Sequence, residues 1–286
     1  MTFDRRNLYL LMQGQFVTNI GAQVFDIAML LWIKELTGSA AIMGLAMLLT
    51  SLPEALLAPL GGRLGDRFGR LRTIILSDLV SAAAVGVVLV AVWLEADPII
   101  AVAALCFSNV VLGLSAACFG PAVSALIPTL VSAQNLDKGN AAHQFARVGG
   151  RAVGQSLGGL LFAVVGVGGT FLINAISFLL SAWSETAIKL APQSAPPAPD
   201  QSDDRLISGT LALLGRIWRD RQMRTLLIFI AVFHLCLSCL PIVLPFYAEH
   251  VLNIADSWFG VFVAIYTLGI LLGFVVAGLI KSQNRF

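Results

Sequence analysis

Charge is scarce in this sequence. Asp, Glu, Lys and Arg make up 12% of its 286 residues, about half the share of a soluble domain. That excludes an ordinary water-soluble globule, and the mean hydropathy of +0.87 agrees. Histidine is also rare. His143, His234 and His250 are scattered and form no nucleophile–base or metal set with the four cysteines. No cofactor, no metal and no enzymatic chemistry is therefore expected. Cys106, Cys118, Cys236 and Cys239 all fall in or at the ends of apolar stretches. The C-x-x-C of Cys236 and Cys239 has helical spacing inside such a stretch and reads as packing.

What the sequence has instead is long apolar runs. Eight are long enough to cross a hydrocarbon core of roughly 30 Å as helices: about 8–33, 40–61, 74–94, 98–120, 142–165, 168–189, 224–247 and 258–280. The first is too long for a signal peptide and has no small-residue cleavage site. With the N-terminus in the cytoplasm, every one of the 18 lysines and arginines except Lys34 falls on the inner side, as the bias of cytoplasmic loops requires. The outer loops carry Glu35, Glu95, Asp97, Glu249 and Asp256. Topology thus explains the net charge of +2, and no nucleic-acid partner is implied. Trp32, Trp93 and Trp258 are expected at the outer interface and Trp183 at the inner one. The expectation is an all-α integral membrane protein with its N-terminus in the cytoplasm.

The runs divide the chain. Residues 1–190 hold six spans and read as a complete six-helix bundle. Residues 191–223 read as a cytoplasmic linker, with Pro192, Pro196, Pro197 and Pro199 followed by an amphipathic surface helix over 205–222. Residues 224–286 hold two further spans, read as the start of an incomplete C-terminal bundle.

Several groups stand out within the spans. Gln15, Asn19, Gln23 and Asp26 are spaced 4, 4 and 3 apart, so they share one helical face. A carboxylate inside a span is costly and faces a bundle interior or a watery cavity, where it serves protons or substrate. Asp26 is the leading proton-coupling residue on that logic; the alternative is that it only hydrogen-bonds its neighbours. Glu54, next to Pro53, reads equally as a coupling group or as a partner of a loop arginine. Asp78 reads as a structural partner of the basic loop. His143, Arg147 and Arg151 recur every fourth residue. Arg151 either faces the cavity and pairs with a carboxylate or snorkels to the membrane surface. His234, with Ser238 in the seventh span, is a further cavity candidate or a packed histidine.

Residues 62–73 form a short basic turn between two apolar spans, and Gly62, Gly65, Asp66, Arg67, Gly69, Arg70 and Arg72 give it the spacing G-x-x-x-D-R-x-G-R-x-R. Glycines suit close approach and left-handed turns, Asp66 caps a helix or pairs with an arginine, and the arginines suit anionic headgroups. Gly150, Gly154, Gly158 and Gly159 form a small-residue stripe on the fifth helix.

The 62–73 spacing resembles the first motif of the major facilitator superfamily, in the loop between helices two and three. The stripe from Gly150 to Gly159 is similar to that family's antiporter motif G-x-x-x-G-P-x-x-G-G, with Gln155 at the proline position. Asn109-Val-Val-Leu112-Gly113 stands where the family has R-x-x-Q-G, so the arginine linked to proton coupling is missing. Gly14-Gln-Phe-Val-Thr-Asn-Ile-Gly21, Leu36-Thr-Gly-Ser39, Gly120-Pro-Ala-Val-Ser-Ala-Leu-Ile-Pro128 and Asn174-Ala-Ile-Ser-Phe-Leu-Leu180 look like the branch with macrolide-efflux proteins and the enterobactin exporter. The resemblance implies proton-driven efflux of a small organic compound such as a drug, macrolide or siderophore, by alternating access in a bacterial inner membrane, with substrate, protons and membrane lipids as partners. It also implies six helices in the second half and a contact from Asp66 to the eleventh. Two such helices are read here, so the expectation is a chain truncated after the eighth helix. The alternative function is a transport-inactive membrane protein or assembly partner.

Overall fold

A computed structural model describes residues 5–190, 215, 218–252, 265 and 269. Of the linker expected over 191–223, with its surface helix over 205–222, residues 191–217 apart from Gly215 lie outside the described residues. So does the span expected over 258–280, apart from Ile265 and Gly269. Arg205, Arg216, Asp256, Trp258, Lys281 and Arg285 fall there too.

The described residues form helices and no strand. Helix α1 spans Arg5–Thr37. Gly38 turns the chain at φ 60°, and the Ser39 hydroxyl accepts from the Ile42 N–H to start α2, Ala40–Phe68. Such a cap contributes about 1 kcal/mol. Helix α3 is Arg70–Trp93. Asp97 then caps α4, Pro98–Leu130, through a 2.9 Å bond from the Ile99 N–H. A 3₁₀ turn, Ala133–Asn135, leads to α5, Leu136–Thr186. Gly166, with φ 68° and ψ −177°, breaks α5 into two arms. These arms are the fifth and sixth spans expected from sequence. Asp220 caps α6, Arg221–Ser238, and α7, Leu240–His250, follows.

The basic segment at 62–73 is not an extended turn. Helix α2 runs on to Phe68, and one residue, Gly69 at φ 94°, separates it from α3. Only that position needs a conformation that disfavours a side chain. Gly65 sits inside α2 instead, facing Ala122 of α4.

Lipid is as apolar as leucine, so close packing and interhelical hydrogen bonds hold such bundles together. Helix α1 lies between the two arms of α5, α2 packs on α4, and α3 packs on α4 and α5. A Cβ on Gly150 would stand 2.7 Å from the Phe16 carbonyl oxygen, and one on Gly154 would stand 2.5 Å from that of Ile20. A Cβ on Gly158 would meet Ile27 at 2.7 Å, and Gly159 is buried. The glycine stripe thus sets how closely α1 meets the first arm of α5.

Two apolar clusters close the bundle. Toward the Lys34 end, Phe25 and Trp32 pack on Phe171 with ring centroids 4.7 and 5.6 Å apart. Trp32 is therefore a core residue and not an interfacial anchor, whereas Trp93 and Trp183 are exposed. Toward the Arg63–Arg72 end, Leu11, Ile74, Leu126 and Ile127 pack together. Buried polar groups on α1, α3 and α5, among them Gln15, Asp78 and Asn174, are set into the bundle as well.

Candidate functional site

A cavity of about 660 Å³ opens in this bundle, bounded by α1 to α5. Drug-sized ligands occupy pockets of roughly 300–1,000 Å³. The polar face of α1 reaches it with all four expected residues, Gln15, Asn19, Gln23 and Asp26. Glu54 of α2 and Arg151 of α5 line it too, as do His143 and Arg147. Phe25, Phe119, Phe178, Met29 and Met47 supply apolar wall. Asp26, Glu54 and Asp78 bring carboxylates to the chamber, and His143, Arg147 and Arg151 of the first arm of α5 bring basic groups.

Asp26 is tied into a relay. Gln155 donates from Nε2 to the Gln23 Oε1 at 2.9 Å, and Gln23 donates from Nε2 to an Asp26 carboxylate oxygen at 2.8 Å. The carboxylate accepts, which fixes which way both amides point. The Arg151 and Glu54 charges also act on Asp26. Gln155, at the position where the antiporter pattern has proline, thus orients the α1 face across the close α1–α5 contact.

The other expected residues are distributed differently. His234 is exposed on α6, with Nδ1 3.0 Å from the Ile230 carbonyl oxygen, and is not among the cavity lining. In the basic segment, Asp66 pairs with Arg70 at 3.0 Å, and Arg70 also donates to the Ala125 carbonyl of α4 at 2.7 Å. Arg67 lies 5.7 Å from the Phe68 ring. Asp78 does not meet this segment: it is 2% exposed and faces Ser181 and Glu185 of α5. Arg147 donates twice to the Gln144 side-chain oxygen, at 3.0 and 2.8 Å.

Sequence reasoning passed over three features. Glu185 is wholly buried. Gly61 and Gly113 seat α2 against α4, where a Cβ would run into the Ala117 and Thr50 carbonyls. Lys34 was read only as a loop charge. Its side chain is 7% exposed and pairs with Glu249 of α7 at 2.7 Å. It lies 3.5 Å from the Pro245 carbonyl oxygen and 5.7 Å from the Phe246 ring. That contact joins α1 to α7 beyond the end of the cavity where Met29 and Leu30 are buried. At the other end the lining includes the exposed Gln144 and Arg147.

The family model of the Major Facilitator Superfamily matches residues 11–285. The chain belongs to the Major Facilitator Superfamily. It is a multi-pass membrane protein, with helices among the described residues long and apolar enough to span a bilayer. Similar members include Macrolide efflux protein A of Streptococcus pyogenes, 26% identical over 182 residues, or 64% of this chain and 44% of that relative. Multidrug efflux pump Tap of Mycobacterium tuberculosis is 27% identical over 263 residues, covering 89% of this chain and 62% of Tap. The uncharacterized MFS-type transporter YvqJ of Bacillus subtilis is 28% identical over 205 residues, 71% of this chain and 46% of that protein. The chain spans about half the length of the curated relatives it matches.

Proposed function

We propose that this superfamily member carries the cavity of a proton-coupled efflux transporter for a medium-sized amphipathic compound of the macrolide or cationic-drug type. The observation that carries the reading is the convergence of Asp26, Gln23, Asn19, Glu54 and Arg151 on one chamber of about 660 Å³. A membrane carboxylate held there by a hydrogen-bonded amide is placed to trade a proton for a ligand. The compound class follows the aromatic and methionine wall, and the similarity to a macrolide efflux protein and a multidrug efflux pump supports it.

In this reading the N-terminus is cytoplasmic, residues 1–190 form the first half, 191–223 the linker and 224–286 the start of the second half. The exposed Gln144 and Arg147 then mark the cytoplasmic mouth, and Lys34–Glu249 closes the outer end between the halves. Ligand enters from inside and displaces the Asp26 proton. Opening of the Lys34–Glu249 contact exposes the chamber outside, where ligand leaves and Asp26 takes a proton again. The 62–73 segment, with its Asp66–Arg70 pair, acts as the conformational hinge on the inner side and meets lipid headgroups through its arginines.

The test is transport in proteoliposomes under an imposed proton gradient, with a macrolide and a cationic dye as probes. The expected result is gradient-driven movement that Asp26→Asn reduces at least tenfold. Movement that ignores the gradient refutes proton coupling, and an unchanged rate in Asp26→Asn removes Asp26 from the role.

A further inference from the structure

Helix α3 and the second arm of α5 each carry a carboxylate into the protein interior. Asp78 is 2% exposed and Glu185 is 0% exposed. The charge of Asp78 acts on Glu185. The groups that face the two carboxylates are Ser181 of α5 and Gln15 of α1, and neither is charged. No lysine, arginine or histidine acts on either carboxylate among the described residues. Of the two arginines at the start of α3, Arg70 is engaged by Asp66 and the Ala125 carbonyl, and neither Arg70 nor Arg72 is among the groups that act on Asp78.

The hydrogen bonding around the pair is incomplete. Ser181 Oγ donates to Glu185 Oε1 at 3.4 Å. Asp78 Oδ2 and Glu185 Oε2 are buried and have no partner, and the same holds for Nε2 of Gln15, a side chain 3% exposed that reaches toward Glu185. Two carboxylates that both carry charge in such a place repel each other and have lost their water. Two like charges sharing a dry site do not both ionise readily, so one of two such groups keeps its proton. A proton on either orphan oxygen turns it from an acceptor into a donor.

We propose that Asp78 and Glu185 form a second proton-binding site, a carboxylate pair that shares one proton and communicates with the cavity through Asp78. Asp78 lines that cavity while Glu185 sits behind it, against α1. Loss of the proton leaves two like charges between α3 and α5. The deprotonated pair therefore favours an arrangement in which water reaches at least one of them. The site stands apart from Asp26 and does not depend on Asp26 being the coupling acid.

Infrared difference spectroscopy on the purified chain in lipid nanodiscs tests this, in an Asp26→Asn background and without transported ligand. The expected result is a protonated-carboxyl band that shifts in heavy water and titrates with pH. It vanishes in Asp78→Asn/Glu185→Gln. In each single variant its midpoint moves by about one pH unit or more, because the two groups titrate as a coupled pair. A band unchanged in the double variant, or absent at every pH from the starting protein, overturns the proposal. A band that responds to sodium at fixed pH also overturns it and makes the pair a metal-cation site. Loss of transport in Asp26→Asn with this band intact would leave the pair standing.

Discussion

Replacing Glu249 by alanine is predicted to open the end of the protein that Lys34 closes. The two charged groups stand 2.7 Å apart, with Lys34 7% exposed and Glu249 53% exposed. At an effective dielectric of about 20, the bare attraction at that distance is roughly 6 kcal/mol. Most of it is offset by the water that Lys34 gives up. Coupling energies of contacting pairs run from about 0.5 to 3 kcal/mol, and about 1–2 kcal/mol is a consistent net value. A change of that size moves a two-state equilibrium about 5–30-fold. The unequal burial adds a sharper expectation. Glu249→Ala takes the 2.7 Å partner from a buried cation, whereas Lys34→Met removes the charge and keeps the packing on Phe246. Glu249→Ala should therefore open the end more than Lys34→Met, and the double variant should resemble Lys34→Met. The assay is the reaction rate of Leu30→Cys, a cavity residue, with a membrane-impermeant thiol reagent added outside. Cys106, Cys118, Cys236 and Cys239 are replaced first. Additive effects of the two single changes would refute the coupling. An unchanged labelling rate in both would refute the gate.

Other outcomes follow from the packing and the hydrogen bonds. Gly154→Ala pushes a Cβ against the Ile20 carbonyl at 2.5 Å; overpacking of this kind costs about 1–3 kcal/mol, read as a lower thermal midpoint in detergent. Gln155→Leu removes one bond of the relay, worth about 0.5–1.5 kcal/mol, and should weaken ligand binding while leaving the helix content by circular dichroism unchanged. Gly69→Val is strained at φ 94° and should destabilise the α2–α3 junction, whereas Gly62→Ala, whose Cβ meets only Pro121 at 3.5 Å, should leave the thermal midpoint nearly unchanged. Asn109→Leu removes the bond to the Ala46 carbonyl at 3.1 Å and should lower the midpoint by an amount matching about 1 kcal/mol.

The parts of this account that were legible in the sequence rest on short-range periodicity. The spans follow from uninterrupted apolar length, and the gathering of Gln15, Asn19, Gln23 and Asp26 on one wall follows from their 4, 4, 3 spacing. The glycine stripe showed that two helices meet closely, but not that its partner is α1. Asp78 was misread because it is near the arginines in sequence. Its neighbours Ile74, Ser77, Ser81, Ala82 and Val85 mark the buried face of α3, and that periodicity carried the signal. Glu185 had no such signal. It ends an apolar run four residues before Lys189 and looks like a surface charge, and only the approach of α1 and α3 buries it. The Lys34–Glu249 contact joins residues 215 positions apart, a pairing that no local pattern encodes. Gly61 and Gly113 likewise need the partner helix before their size has a reason.

The most direct test of the central claim, that ligand and proton meet at Asp26, is proton release on ligand binding. A weakly buffered solution of the purified protein with a pH-sensitive dye receives a macrolide or a cationic drug. Protons should be released in proportion to the ligand bound, and Asp26→Asn should bind without that release. Equal release from both proteins, or binding by the starting protein with no release, would contradict it.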